Sequence, residues 1–139
     1  FRTAINNAAT ESAYNPVSRA GRTHSIPYCV AAALVMKTID YEYFDDEFAE
    51  KETTVINLMK KVKVVENAGM TEKYPDGAPC TITVKKNDGT AISRSRDYPK
   101  GDPHDPLSDG ELEEKARTNM AYVMDDRTAG DIIRRIWNI

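Results

Sequence analysis

Eleven consecutive residues, from Ile26 through Pro27, Tyr28, Cys29, Val30, the Ala31–Ala33 triplet, Leu34 and Val35 to Met36, contain no charged side chain. A helix that is apolar nearly all round has no face to offer water, so it must be buried on several sides. It is also far too short for a membrane, which needs roughly 18 or more apolar residues. The longest uninterrupted apolar stretch, Tyr28 to Met36, is about half of that. The segment predicts the central helix of a folded domain. Ser25 stands where an N-cap is needed, and Pro27 falls in the first turn, where its missing N–H costs nothing.

The chain can supply a core for such a helix. Its 139 residues suit one domain or a domain with an appendage. With 40% hydrophobic and 29% charged residues it is a globular rather than a disordered composition. Nineteen basic against 22 acidic residues give a net charge of −3, which argues against nucleic acid as a partner. No membrane partner is expected either. The chain is short for an enzyme that must enclose a polar substrate unaided. It begins Phe1-Arg2-Thr3, without Met and without a signal segment, directly in residues that read as structured. The expectation is a cytoplasmic protein, of which this is a piece cut from a longer chain.

Around the central helix the pattern alternates between short elements. Residues 1–9 read as the end of a strand, and 10–23, with Pro16 and several Ser, Asn and Gly, as a loop. The acidic, aromatic run Asp40 to Glu52 reads as a solvated loop or short helix. Thr53 or Thr54 is placed to cap a helix carrying Val55, Leu58, Met59 and Val62. Residues 62–67 read as a strand. Cys80, Ile82 and Val84 alternate with Thr81, Thr83 and Lys85, and Asn87-Asp88-Gly89 supplies turn chemistry before a return strand from Thr90 to Arg96. One face of this hairpin is apolar and is expected to cover the buried helix. The other carries Thr, Lys, Ser and Arg. Residues 98–106 hold three prolines and a glycine and cannot be regular. Ser108 and Glu111 form a capping-box signature for a helix with Leu112, Ala116, Met120 and Val123 on one side. Thr128 and Asp131 can cap a last helix with Ile132, Ile133, Ile136 and Trp137 on one face. The fold class is α+β: a small antiparallel sheet of three or four strands, a β-hairpin packed on a buried helix, and C-terminal helices.

No phosphate-binding loop, dinucleotide fingerprint, nucleophile elbow or zinc spacing is present. Cys29 and Cys80 read as small buried hydrophobes. His24 and His104 stand far apart, and His104 reads as exposed.

His24-Ser25-Ile26-Pro27-Tyr28-Cys29-Val30-Ala31-Ala32-Ala33-Leu34 resembles the HSxxYxVAxxL stretch that opens the smaller C-terminal domain of the MmgE/PrpD family. Three further stretches agree in order and spacing: Leu58 to Val64, Tyr74 to Gly89, and Tyr98-Pro99-Lys100-Gly101-Asp102-Pro103 with Pro106-Leu107-Ser108 and Leu112 to Lys115. The ordered set covers roughly residues 14–124. The family includes 2-methylcitrate dehydratase, cis-aconitate decarboxylase and iminodisuccinate epimerase. The resemblance implies two domains: a large helical N-terminal domain, missing here, and a smaller α+β lid that closes over it. Residues 1–107 would be that lid and 108–139 a helical segment packing on it or on the helical domain. It further implies a homodimer, no cofactor, no metal, and a small di- or tricarboxylate substrate. The most direct expectation is a hydro-lyase of the 2-methylcitrate dehydratase type, with the 139 residues inactive alone; a sibling decarboxylase or epimerase, or a non-catalytic dimerisation module, remains open.

Removing a proton α to a carboxylate and expelling a β-hydroxyl requires a base, an acid, and donors that hold carboxylates. His24 and Tyr28, at the start of the central helix, are the catalytic candidates. His24 can move a proton near neutral pH, and Tyr28 can donate its phenolic proton. By resemblance, a tyrosine at this motif position lines the active site in decarboxylase members. Ser25, Arg22, Arg19 and Lys100 are the substrate-binding candidates, the arginines because they can pair bidentately with carboxylates.

Overall fold

A computed structural model describes residues 10–139, so the strand expected over 1–9 lies outside the described residues. The chain divides after Tyr74 into two compact units.

The first unit is built around the apolar helix. Residues 10–23, expected to be a loop, hold a 3₁₀ turn, Glu11–Tyr14, and a short helix α1, Arg19–Thr23. Ser18 makes α1 possible by accepting from the Gly21 amide at 3.1 Å. Helix α2, Ile26–Met36, starts as its sequence requires: the Ser25 hydroxyl oxygen accepts from the Tyr28 amide at 3.0 Å, with Pro27 in the first turn. It stops at Lys37, which adopts the left-handed conformation with φ of 63°. A second 3₁₀ turn, Tyr41–Phe44, leads into α3, Asp46–Lys51, and α4, Thr53–Met59. The cap of α4 is Glu52, whose carboxylate accepts from the Thr54 amide, rather than Thr53 or Thr54.

Burial on α2 falls on Pro27, Tyr28, Ala31 and Ala32. Small alanines bring α4 close, and Tyr28, Ala31, Ala32, Phe44, Val55 and Met59 form one core cluster, with Cys29, Val35 and Phe48 packed against it. Leu34 remains 46% exposed, so the helix is not enclosed on every side. Residues 62–67 are not a strand. Their valines have the right composition, but a ladder needs a second strand, and none of the described residues pairs with them; the Val62 carbonyl instead accepts from the Tyr14 hydroxyl at 3.0 Å. A single turn, α5, Ala68–Thr71, follows.

The second unit holds the hairpin. Strands β1, Cys80–Lys85, and β2, Ala91–Arg96, pair antiparallel, with Val84 opposite Ile92 and Ile82 opposite Arg94. Among the described residues the sheet has these two strands, not three or four. Gly89 has φ of +85°, and the Asp88 carboxylate accepts from the Thr90 amide and hydroxyl, so Asp88-Gly89 closes the turn as expected. Thr81 pairs with Ser95 and Thr83 with Ser93 through hydroxyls at 2.8 Å on one face. The register puts Arg94 and Arg96 on the other face, beside Ile82 and Cys80. On that face Ile82 and Ile92 are each 45% exposed, and Cys80 is exposed rather than buried. Both cysteines are free thiols.

Residues 98–106 are irregular apart from a single bridge between Asp102 and Asp105, preceded by Gly101 at φ of +96°. Helix α6, Asp109–Met120, opens with the full capping box. Helix α7, Asp126–Trp137, starts earlier than its sequence suggested, because Asp125 accepts from the Thr128 amide and takes the capping role assigned to Thr128. Ile133 and Ala129 are buried, whereas Ile136 and Trp137 are about half exposed. The architecture is α+β with C-terminal helices, and no helix among the described residues is long and apolar enough to cross a membrane.

Candidate functional site

Five of the six candidate residues lie within ten positions of one another, on α1 and the start of α2. Arg22 is 4% exposed. Its Nε donates to the Phe44 carbonyl at 2.7 Å, and Nη2 pairs with Asp46. Ser25 is fully buried; besides capping α2 it donates its hydroxyl proton to the Ala13 carbonyl at 2.6 Å. Tyr28 is fully buried and donates its phenolic proton to the Tyr43 carbonyl at 2.7 Å, with its ring centroid 5.9 Å from that of Phe44. Burial pushes the Tyr28 pKa above the ordinary phenol value, and the nearby Arg22 charge only partly offsets this. Tyr28 is therefore a proton-bearing donor throughout the neutral range.

His24 is exposed. Its Nδ1 lies 2.9 Å from the Ala20 carbonyl, which can only accept, so Nδ1 carries the proton in the neutral ring. Nε2 is then the nitrogen left to exchange a proton with a ligand. Arg19 is half exposed. Its guanidinium lies over the Tyr41 ring at 3.5 Å, and Nη1 pairs with Asp45 at 3.2 Å. The first turn of α2 offers little of a bare N–H cradle: Pro27 has no N–H, and the Tyr28 and Cys29 amides bond back to Ser25. The adjacent Cys29 thiol is pushed above its ordinary pKa by burial, which disfavours the nucleophilic thiolate.

Lys100 belongs to the second unit. It is shared between Asp105 at 3.5 Å and Glu111 at 3.1 Å, and the bond to Glu111 raises its pKa. Glu111 is held down to about 2, first by the Ser108 amide, then by its hydroxyl and by Lys100. In the same loop His104 stacks on Tyr98 and bonds Asp102, with its side chain 61% exposed as expected. Among the described residues no group of three His, Cys, Asp or Glu side chains is placed to hold a metal ion.

The family model of the MmgE/PrpD C-terminal domain matches residues 2–139. The chain belongs to the MmgE/PrpD family. No curated protein matches it closely enough to be counted a relative. MmgE/PrpD proteins are generally hydro-lyase-like enzymes, and this chain is their C-terminal domain.

In this MmgE/PrpD domain the sequence reading missed the segment that faces the motif. The run from Asp40 to Glu52 was expected to be a solvated face, yet Phe44 is buried, Tyr43 and Phe44 give their carbonyls to Tyr28 and Arg22, and Asp45 and Asp46 pair with Arg19 and Arg22. The available signal was aromatic residues at 41, 43, 44 and 48 interleaved with acids, together with two arginines three positions apart on one helical face.

Proposed function

We propose that this domain is the lid of a cofactor-independent hydro-lyase of the 2-methylcitrate dehydratase type, acting on small tricarboxylates. The observation that carries the reading is the family match over residues 2–139, in a chain whose first helix pair gathers His24, Tyr28 and two arginines. In this reading residues 1–107 form the lid. Residues 108–139 pack on it or on an N-terminal helical domain, and the whole enzyme works in the cytoplasm as a homodimer.

His24 Nε2 and the Tyr28 hydroxyl carry the proton chemistry on the lid side. An imidazolium can protonate a departing β-hydroxyl, and the neutral ring can take a proton back. Tyr28 keeps its proton and, in this reading, donates to developing negative charge only when the core around Phe44 opens and the Tyr43 carbonyl is released. Arg19, Arg22, Ser25 and Lys100 bind the substrate's carboxylates or hold the residues that do. The helical domain supplies the remaining acid–base groups.

Full-length protein incubated with 2-methylcitrate, citrate or cis-aconitate, with the absorbance of the conjugated alkene followed, is expected to turn over at least one of them. Decarboxylation or epimerisation products would reassign the reaction within the family. No turnover of any substrate would sink the lyase reading and favour a dimerisation or binding module.

A further inference from the structure

The segment from Tyr41 to Asp46 is gripped nearly residue by residue from α1 and α2. Tyr28 holds the Tyr43 carbonyl, Arg22 holds the Phe44 carbonyl and Asp46, and Arg19 holds Asp45 while lying against the Tyr41 ring. The grips form two layers. The inner one is saturated and dry: Arg22 is 4%, Phe44 8% and Tyr28 0% exposed. A ligand carboxylate could reach Arg22 only by breaking a buried ion pair and opening the core around Phe44, a large cost. In the outer layer the Arg19 and Asp45 side chains are 37% and 43% exposed, and Tyr41 is 58% exposed.

That outer layer holds an unmet valence. Arg19 Nη1 is spent on Asp45, but Nη2 is buried with no hydrogen-bond acceptor. Shutting a guanidinium nitrogen away from water with no acceptor is destabilising. The Tyr41 ring at 3.5 Å offsets part of this through its π face, and it cannot replace an acceptor in the guanidinium plane. A carboxylate oxygen would satisfy Nη2 without disturbing Asp45, because the guanidinium fork has five donors.

We infer that Arg19 is the residue of this domain that receives a carboxylate of the incoming acid, through the Nη2 nitrogen that lacks an acceptor. Arg22 is then a positioning residue, which fixes Phe44 and thereby the strap against which Arg19 packs. The inference rests on the polycarboxylate reading above and narrows it to one cation.

The test uses full-length protein and tricarballylate, a tricarboxylate without a hydroxyl to expel, with binding measured by calorimetry beside thermal unfolding. Arg19→Gln is expected to weaken binding by about tenfold or more with little change in Tm, and Arg19→Lys to restore part of it. Wild-type affinity in both Arg19 variants, or no binding by the wild type, would each overturn the inference. The two readings separate cleanly. Turnover with an Arg19-independent Kd removes this inference alone, and Arg19-dependent binding without turnover of any tested acid removes the dehydratase reading alone.

Discussion

Before Tyr74, six side chains that are at most 8% exposed touch one another: Tyr28, Ala31, Ala32, Phe44, Val55 and Met59. After it, Ala129 and Ile133 are the buried apolar residues, while Ile82, Ile92, Leu112, Val123, Ile136 and Trp137 are 45–79% exposed. What fixes the second unit is polar. Hydroxyl pairs lock the hairpin, a carboxylate closes its turn, and a capping box starts α6. Lys100 joins the loop to that box, and the Trp137 indole and Arg117 tie α6 to α7 through Glu113 and Asp126. The lesson is that two segments of similar length can be ordered by different forces. One answers to cavities, which act at any pH. The other answers to charge state and hydrogen-bond geometry, where each contribution is small and local.

This contrast can be broken by substitution. The largest effect is expected for Met59→Ala, which empties a side chain 2% exposed in the first unit; it should cost about 2–5 kcal/mol in denaturant unfolding followed by circular dichroism. A loss below about 1 kcal/mol would mean that the first unit is not held by its core. Next is Asp46→Asn, which strips the buried Arg22 of its charged partner and leaves it the Phe44 carbonyl; about 1–3 kcal/mol is expected by the same measurement. Its companion on the exposed side, Arg19–Asp45, should cost well under 1 kcal/mol when Asp45→Asn is made.

In the second unit Ser108→Ala removes the hydroxyl half of the capping box, leaving the amide at position 108 to Glu111, and should cost about 1 kcal/mol, read from the amide exchange of the first turn of α6. The same box makes a pH prediction. Glu111 has its pKa lowered from an ordinary 4.5 to about 2 by the Ser108 amide and hydroxyl and by Lys100. A lowered carboxylate pKa stabilises the fold above the unfolded value, and that contribution disappears as pH falls through the folded one. The first turn of α6 should therefore loosen between about pH 4.5 and pH 2, and Glu111→Gln, which keeps the box without the charge, should remove that transition. Carbon-13 titration of the Glu111 carboxyl checks it: a midpoint near the ordinary value would show the box to be weak. The smallest effect is expected for Thr83→Val, which deletes one cross-strand hydroxyl pair with Ser93 and should cost a few tenths of a kcal/mol, up to about 1, by amide exchange in the hairpin.

The elements that were legible in advance are those whose reasons lie within a few residues. Ser25 caps α2, Asp88-Gly89 closes the hairpin and Ser108 with Glu111 opens α6, each through contacts two or three positions apart. Reading by residue type alone erred where two caps competed. Glu52 displaced Thr53 and Thr54, and Asp125 displaced Thr128, because the side chain that reaches the N2 or N3 amide wins whatever its name. Residues 62–67 looked like a strand for the valines they contain, but strand identity belongs to a pair. The candidate site divides in the same way. Its motif residues were found at once from their order in the chain, whereas the strap facing them, with contacts some 15–26 residues apart in sequence, was read as a solvated acidic run.

The sequence by itself determined that a charge-free helix of eleven residues must sit at the centre of a core, that it begins at Ser25, and that the chain belongs among MmgE/PrpD C-terminal domains. Only the tertiary structure decided which polar groups went inside with it. Arg22, Ser25 and Tyr28 are buried because the 3₁₀ turn at Tyr41–Phe44 and the carbonyl of Ala13 come to meet them, and Arg19 stays outside with one nitrogen unanswered. Apolar burial can be read from a local pattern because it is non-directional and follows area. Burial of a charge or a hydroxyl depends on a partner at hydrogen-bond distance, and the distant segments that supply that partner are placed only by the fold.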